Sequence, residues 1–252
     1  MEFKDKTVII TGASMGIGKA TAIEFAKKGA TLGLVDIKEE QLNAVKAEIK
    51  ALGADVSTYV CDVSDEQGVK KVVDEFINQY GKIDVMVNNA GVWRYDQVFV
   101  EMDSSIWKKI IDVNILGTMY FSQAVLKNMI DNKYGRIINI GSVTGVYGKA
   151  EMTPYSMSKG AVSAFTKALA KEVTQYGITV NNVVPGNVLN EGATNNEELS
   201  FANRSGRPEE FAYLICFLAS DKAAYISGQD YQIDGCRKKM KEEWYEENFS
   251  GI

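Results

Sequence analysis

Apolar positions along this chain follow two alternating rhythms. Short runs dense in β-branched and aliphatic residues, such as TVIIT (7–11) and TLGLVD (31–36), read as strands buried on both faces. Between them lie longer stretches in which apolar residues return every three or four positions. GIGKATAIEFAKKG ends on Gly29 and KEEQLNAVKAEIKALG on Gly53, as helices commonly do. The alternation continues through STYVCDV (57–63), a helix over 65–80, KIDVMVNN (82–89), a helix over 103–130 and GRIINIGS (135–142). A helix over 154–176, ITVNNVVPG (178–186), a helix near 208–219 and the short strand QDYQID complete it. Strands this apolar, each separated by a helix, form a parallel sheet covered on both faces. With right-handed crossovers the prediction is one Rossmann-like, doubly wound α/β domain over residues 1–252, with about seven strands.

Two segments depart from the rhythm. Residues 187–205, NVLNEGATNNEELSFANRS, are polar and irregular with one weakly helical stretch. They follow the C-terminal end of a strand, where such sheets bind ligands, and read either as a substrate loop that closes over the site or as an ordinary connection. The tail, 237–252, sets Trp244, Tyr245 and Phe249 among alternating charges. It reads as a solvated helix or as a segment that docks on its own or a neighbouring subunit.

Composition narrows the chemistry. A net charge of −5 argues against nucleic acid or an anionic membrane as partner. Cys61, Cys216 and Cys236 lack metal-ligand spacing and the chain has no histidine, so no metal site and no disulfide framework are expected. The start, MEFKDKTVIITG, resembles no secretory leader, and no apolar run reaches membrane-spanning length, so a cytoplasmic protein is expected. Without histidine, acid–base chemistry near neutral pH needs another group.

TGASMGIG places Gly12, Gly16 and Gly18 between the first strand and first helix. Such glycines allow a tight turn whose backbone amides approach a phosphate at a helix N-terminus, although a turn without a ligand could look the same. Asp36 ends the second strand, 18 residues beyond Gly18. A carboxylate there accepts from both adenosine ribose hydroxyls and repels a 2′-phosphate, so NAD is expected over NADP. Met15 offers no cation to a 2′-phosphate, and Lys38 is the nearest one that could. Further on, TPYSMSKG sets Tyr155 and Lys159 four residues apart on one helix face, with Pro154 at the helix start. A free tyrosine titrates near pH ~10, and a neighbouring ammonium would favour its phenolate. Tyr155 is then a candidate proton donor and acceptor.

In order, TGASMGIG, CDV (61–63), NNAG (88–91), DVNILG with Asn114, IINIGSVTG with Ser142, Tyr155-x3-Lys159, VVPGN and the closing GRPEE…FLASDKAAYISGQ resemble the short-chain dehydrogenase/reductase family in its form of about 250 residues. The resemblance runs from about residue 4 to 235. It implies hydride transfer between a nicotinamide and a carbonyl or secondary alcohol carbon, with Asn114, Ser142, Tyr155 and Lys159 as the catalytic set. Cofactor contacts are implied at Gly12, Ser14, Met15, Gly16, Ile17, Gly18, Asp36, Ile37, Asp62, Val63, Asn89, Ala90 and Gly91. Tyr155, Lys159, Pro185, Gly186, Val188 and Asn190 are implied to complete them. Lys159 would bond the nicotinamide ribose, Ser142 would donate to the substrate oxygen, and Asn114 would hold a water leading from Lys159 to solvent. By the same resemblance, helices 103–130 and 154–176 form a four-helix contact between subunits, giving a homotetramer or homodimer.

The chain also departs from the pattern. Asn190 stands where relatives place a threonine against the nicotinamide carboxamide, the following loop is a few residues short, and the usual Asp-Gly-Gly ending reads DGC with Cys236. Trp93, Tyr95, Tyr147 and Met152 either line an apolar substrate pocket or pack locally. A pocket of that kind suits a bulky alicyclic or steroid-like alcohol. Two other readings stay open: a 3-oxoacyl-(acyl-carrier-protein) reductase, and a non-catalytic protein that senses dinucleotides.

Overall fold

The computed structural model describes residues 2–93, 96–190 and 195–238. Its centre is a seven-stranded parallel sheet in the order β3-β2-β1-β4-β5-β6-β7. The strands are β1 (Thr7–Thr11), β2 (Thr31–Asp36), β3 (Val56–Val60), β4 (Val85–Asn88), β5 (Gly135–Ile140), β6 (Ile178–Pro185) and β7 (Asp230–Ile233). The apolar runs are buried because both faces are covered. Val8 and Ile10 of β1 join one core while Ile9, between them, joins the other. Helices α1 (Gly16–Lys27), α2 (Glu39–Ala51) and α8 (Pro208–Ala219) close the first face with Phe25, Leu42, Ile49 and Leu218. Helices α3 (Glu66–Tyr80), α5 (Gly117–Asp131) and α7 (Thr153–Val173) close the second with Phe76, Phe121, Val125 and Leu169.

Local chemistry fixes where the helices begin. Asp65 accepts from Gln67 N at 3.1 Å ahead of α3, and Asp103 from Ser105 N at 2.8 Å ahead of α4 (Ser104–Ile111). Pro208 opens α8, where Glu210 reaches back to accept from Arg207 N at 2.8 Å.

Two expectations need correction. The helix read over 103–130 is interrupted: α4 passes through a π-helical turn, Asp112–Leu116, before α5 begins. The widened turn carries Asn114, whose side chain is drawn to Val92 after β4, while Thr118 Oγ1 donates to the Asn114 carbonyl at 2.9 Å. The weak helix expected within 187–205 is also absent among the described residues. There Phe201 N and Ala202 N donate to Cys236 O and Gly235 O, so the backbone bonds across to the chain following β7.

A string of buried polar side chains ties β4 and β5 to the helices beneath the strand ends. Asn88 Nδ2 donates to Ser122 Oγ of α5 at 3.0 Å and to Asn139 Oδ1 of β5 at 2.9 Å. Asn139 Nδ2 donates in turn to Thr166 Oγ1 of α7 at 2.9 Å. Among the described residues, no helix is long and apolar enough to cross a membrane. Asn139→Ala leaves Asn88 and Thr166 each short of a buried partner. Chemical denaturation of this variant should show a loss of about 1–3 kcal/mol with the fold retained.

Candidate active site

Strand order reverses between β1 and β4, and the crevice above their C-terminal ends is the natural ligand site of such a sheet. All four residues of the expected catalytic set come to this edge. The glycine turn after β1 is pinned from the β4 side: Asn89 Nδ2 donates to Thr11 O at 3.0 Å and Gly12 O at 2.9 Å, while Thr11 Oγ1 accepts from Asn89 N and Ala90 N. Gly18 shows why the turn tolerates no side chain, since a Cβ there would lie 2.1 Å from Gly12 O. Ser14 Oγ is buried in this turn without a hydrogen-bond partner. An orphaned hydroxyl, a cradle without Cβ atoms and the N-terminus of α1 together fit a dinucleotide diphosphate. Ile17 packs from the start of α1 against the first core.

Around the turn, Asp36 Oδ2 accepts from Ser14 N at 3.1 Å and Oδ1 from Lys38 N at 3.0 Å, which fixes the carboxylate at the end of β2. Met15 and Ile37 flank it as exposed apolar side chains. Lys38 Nζ reaches to 3.5 Å from Met15 Sδ, so the hedging cation does lie at this rim. Asp62 is occupied by Ser64, whose N and Oγ donate to its Oδ1 at 2.9 and 2.7 Å. Val63 is buried, its side chain filling the space a Cβ on Gly117 would need. On the far side, Pro185 O accepts from Val143 N at 3.0 Å, Gly186 N bonds Ile233 O, and Val188 bridges to Gly206. Asn190 Oδ1 lies 2.7 Å from where a Cβ on Gly16 would stand, so this amide leans over the glycine turn.

Lys159, Tyr155 and Ser142 come together where α7 meets β5. Lys159 is 6% exposed and its Nζ donates to Ile140 O at 2.7 Å, while Tyr155 stands close to Ser142 just beyond the end of β5. Ser142 Oγ also accepts from Thr144 Oγ1 at 3.0 Å and Thr144 N at 3.2 Å. Close contact of α6 (Thr144–Tyr147) with α7 makes this possible: a Cβ on Gly145 would lie 2.6 Å from the Lys159 carbonyl carbon.

Electrostatics here differ from the sequence expectation. Burial raises the Tyr155 hydroxyl above its ordinary value, partly opposed by the Ser142 hydrogen bond, and burial pushes Lys159 down to about 8. The lysine lies 5.9 Å from the tyrosine ring centroid and spends a bond on Ile140 O. Desolvation therefore outweighs the ammonium's pull on the phenol.

Asn114 is fully buried. Its Nδ2 donates to Val92 O and Ser158 Oγ, both at 3.0 Å, and its Oδ1 accepts from Val92 N at 2.8 Å. Only a second lone pair on Oδ1 remains for a water. A Cβ on Gly91 would lie 3.3 Å from that oxygen and 3.4 Å from Lys159 Nζ, so the glycine leaves room between them.

Of the expected pocket residues, Trp93 is 46% and Tyr147 65% exposed, with the Tyr147 hydroxyl accepting from Gln232 Nε2 at 3.0 Å. Met152 is buried and forms no open wall. Tyr95, the loop positions 191–194 and the tail beyond 238 lie outside the described residues. Sequence reasoning missed Thr11, Ser158, Thr144 and Gly145. Ser158, next to Lys159, was within reach, whereas Gly145 matters only through a contact between helices.

Residues 6–199 match the model of the short chain dehydrogenase family. A 3-oxoacyl-(acyl-carrier-protein) reductase from Thermotoga maritima is 40% identical over 246 residues, covering 93% of this chain and 98% of that protein. The reductase of the same name from Escherichia coli is 35% identical over 243 residues, with 93% and 98% covered. Among solved structures, NAD+-bound xylitol dehydrogenase superposes with a TM-score of 0.88 at 29% identity over 93% of this chain and 100% of that one. Levodione reductase does so at 0.88 and 32% over 92% and 97%.

The depressed Lys159 value has a measurable sign. Between about 8 and the ordinary ~10.4, the unfolded chain binds the proton that the folded chain has released, so raising pH through this window stabilises the fold. Lys159→Met removes that gain. Urea midpoints should rise for the parent relative to the variant as pH climbs from about 8 towards ~10.

Proposed function

The chain belongs to the short-chain dehydrogenase family, and from that premise we propose that it is an NAD-preferring oxidoreductase interconverting a secondary alcohol and a ketone, with Tyr155 as the general acid and base. The observation behind this reading is the placing of Tyr155 beside Ser142, with Lys159 one turn further along α7 and bonded to Ile140 O at 2.7 Å.

Gly12, Ser14, Gly16 and Gly18 would hold the dinucleotide diphosphate, Asp36 the adenosine ribose, and Pro185, Gly186, Val188 and Asn190 the nicotinamide end. Bound there, the nicotinamide supplies an acceptor or donor of hydride. Tyr155 gives a proton to the substrate oxygen during reduction and takes it during oxidation. Ser142 donates to the same oxygen as negative charge gathers on it. At neutral pH both Tyr155, raised by burial, and Lys159, at about 8, hold their protons, which loads the pair for reduction. A water between Asn114 Oδ1 and Lys159 Nζ, in the space beside Gly91, would resupply the proton.

The substrate reading follows the open, aromatic rim. Trp93 and Tyr147, both well exposed, suit a bulky alicyclic alcohol rather than a small polyol. A second reading, reduction of a 3-oxoacyl thioester on a carrier protein, is favoured by the names of the sequence relatives. Exposed Met119 on α5 and Met157 on α7 suit contact with a second copy, in keeping with a homotetramer or homodimer.

NADH formation with steroid, alicyclic and aliphatic alcohols, polyols and a 3-hydroxyacyl thioester tests these readings together. Tyr155→Phe should lose at least ~100-fold in turnover while still binding NADH, and retained turnover removes tyrosine from the role. Turnover confined to the thioester selects the second reading, and turnover confined to polyols overturns the substrate class. NAD should be used at least ~10-fold more efficiently than NADP, and Asp36→Ala should narrow that ratio; equal use by the parent overturns the coenzyme preference.

A further inference from the structure

The family resemblance ends near residue 235, yet the chain continues, and its first residues past β7 turn back across the loop that follows β6. Gly235 and Cys236 both have positive φ, 65° and 58°, and Cys236 N donates to Asp234 Oδ1 at 3.0 Å. This tight turn sends residues 236–238 antiparallel to 199–201. Phe201 N donates to Cys236 O at 2.9 Å, Ala202 N to Gly235 O at 3.1 Å and Lys238 N to Leu199 O at 3.1 Å. Ser200 bridges to Arg237. Lys238 Nζ donates to Asn203 Oδ1 at 3.3 Å and stands 5.6 Å from the Phe201 ring centroid.

Within the loop, Ser200 Oγ donates to Arg204 O at 3.0 Å and Asn203 N to Ser200 O at 3.1 Å. Its neck is closed by Leu189 N to Gly206 O, Gly206 N to Asn187 O and Asn187 Nδ2 to Ser205 Oγ, and Arg204 makes a two-pronged ion pair with Glu210 of α8. Those contacts fix the base. Further out, Ala202 lines a cavity of about 150 Å3 together with Gly206, Phe211, Ile233 and Asp234, and Phe201 is 68% exposed. Apolar packing therefore does not hold Phe201 or Ala202. Their backbone bonds run to 235–238, and the same loop begins at Asn190 against the glycine turn.

We propose that residues 235–238 are a strap that positions the substrate loop, so that the segment beginning where the family pattern ends is a working part of the substrate site. The strap acts through the loop and touches no reacting atom. Its role in substrate binding rests on the oxidoreductase reading above; its grip on the loop does not.

Two truncations separate the strap from the residues beyond it: one chain ending at Gly235 and one ending at Lys238. Chymotryptic cleavage at Phe201 and tryptic cleavage at Arg204, followed without any substrate, report loop opening directly. The chain ending at Gly235 should be cut on the order of tenfold faster or more than the full chain, while the chain ending at Lys238 stays within about twofold. Should the shorter chain fail to fold, Lys238→Pro in the full chain deletes the N–H given to Leu199, with Lys238→Ala as the control that keeps it. Faster cutting of the proline variant alone supports the strap. Equal cutting of all chains, or equal release by both truncations, overturns it. With an active substrate in hand, the strapless chain should raise KM for that substrate with kcat largely kept, and an unchanged KM removes the strap from substrate binding.

Discussion

Lys159 Nζ donates to the Ile140 carbonyl at 2.7 Å with the lysine almost wholly buried, and the rest of the site depends on that contact. It joins α7 to the last residue of β5, two residues before Ser142. Burying an ammonium is costly unless its hydrogen bonds are met, and the cost appears as the depressed lysine value of about 8. In return the helix is held in one register against the strand, which sets Tyr155 beside Ser142. The close approach at Gly145 serves the same end from the α6 side.

The neighbouring polar side chains extend this registration rather than competing with it. Asn114 links Val92 to Ser158, and Ser158 Oγ donates to Tyr155 O at 2.8 Å, so the loop after β4 and the start of α7 move as one unit. Beneath them the Asn88–Asn139–Thr166 string spans two strands and a helix. Buried polar groups of this kind specify one arrangement, because any slip leaves several of them unpaired at once. The cofactor turn is likewise held by Asn89 and Thr11 rather than by its own residues.

Much of this was legible in the residues. The TGASMGIG turn, Asp36 at the end of β2 and the Tyr155–Lys159 spacing are local patterns whose neighbours in space are their neighbours in sequence, or lie at a strand end whose position the fold class dictates. Other parts were not legible. The π-helical turn carries Asn114, whose partner Val92 lies 22 residues away in the chain. In sequence Met152 could line a pocket or pack locally, and the structure buries it, because periodicity reports apolarity but not which surface covers it. The polar segment 187–205 carries one weakly helical stretch in sequence, yet amides at Phe201 and Ala202 bond to a segment more than thirty residues later.

By itself the sequence determined the alternation of strand and helix, the parallel doubly wound sheet, the glycine turn after the first strand and the four-residue spacing of Tyr155 and Lys159. These rest on local propensity and on burial of both sheet faces, which any chain with this pattern must satisfy. Tertiary structure alone decided the protonation balance of Tyr155 and Lys159, the pinning of Asn114, and the attachment of 199–202 to 235–238. Desolvation and backbone pairing between distant segments depend on what surrounds a residue once the chain has closed, and residue spacing does not encode that surrounding.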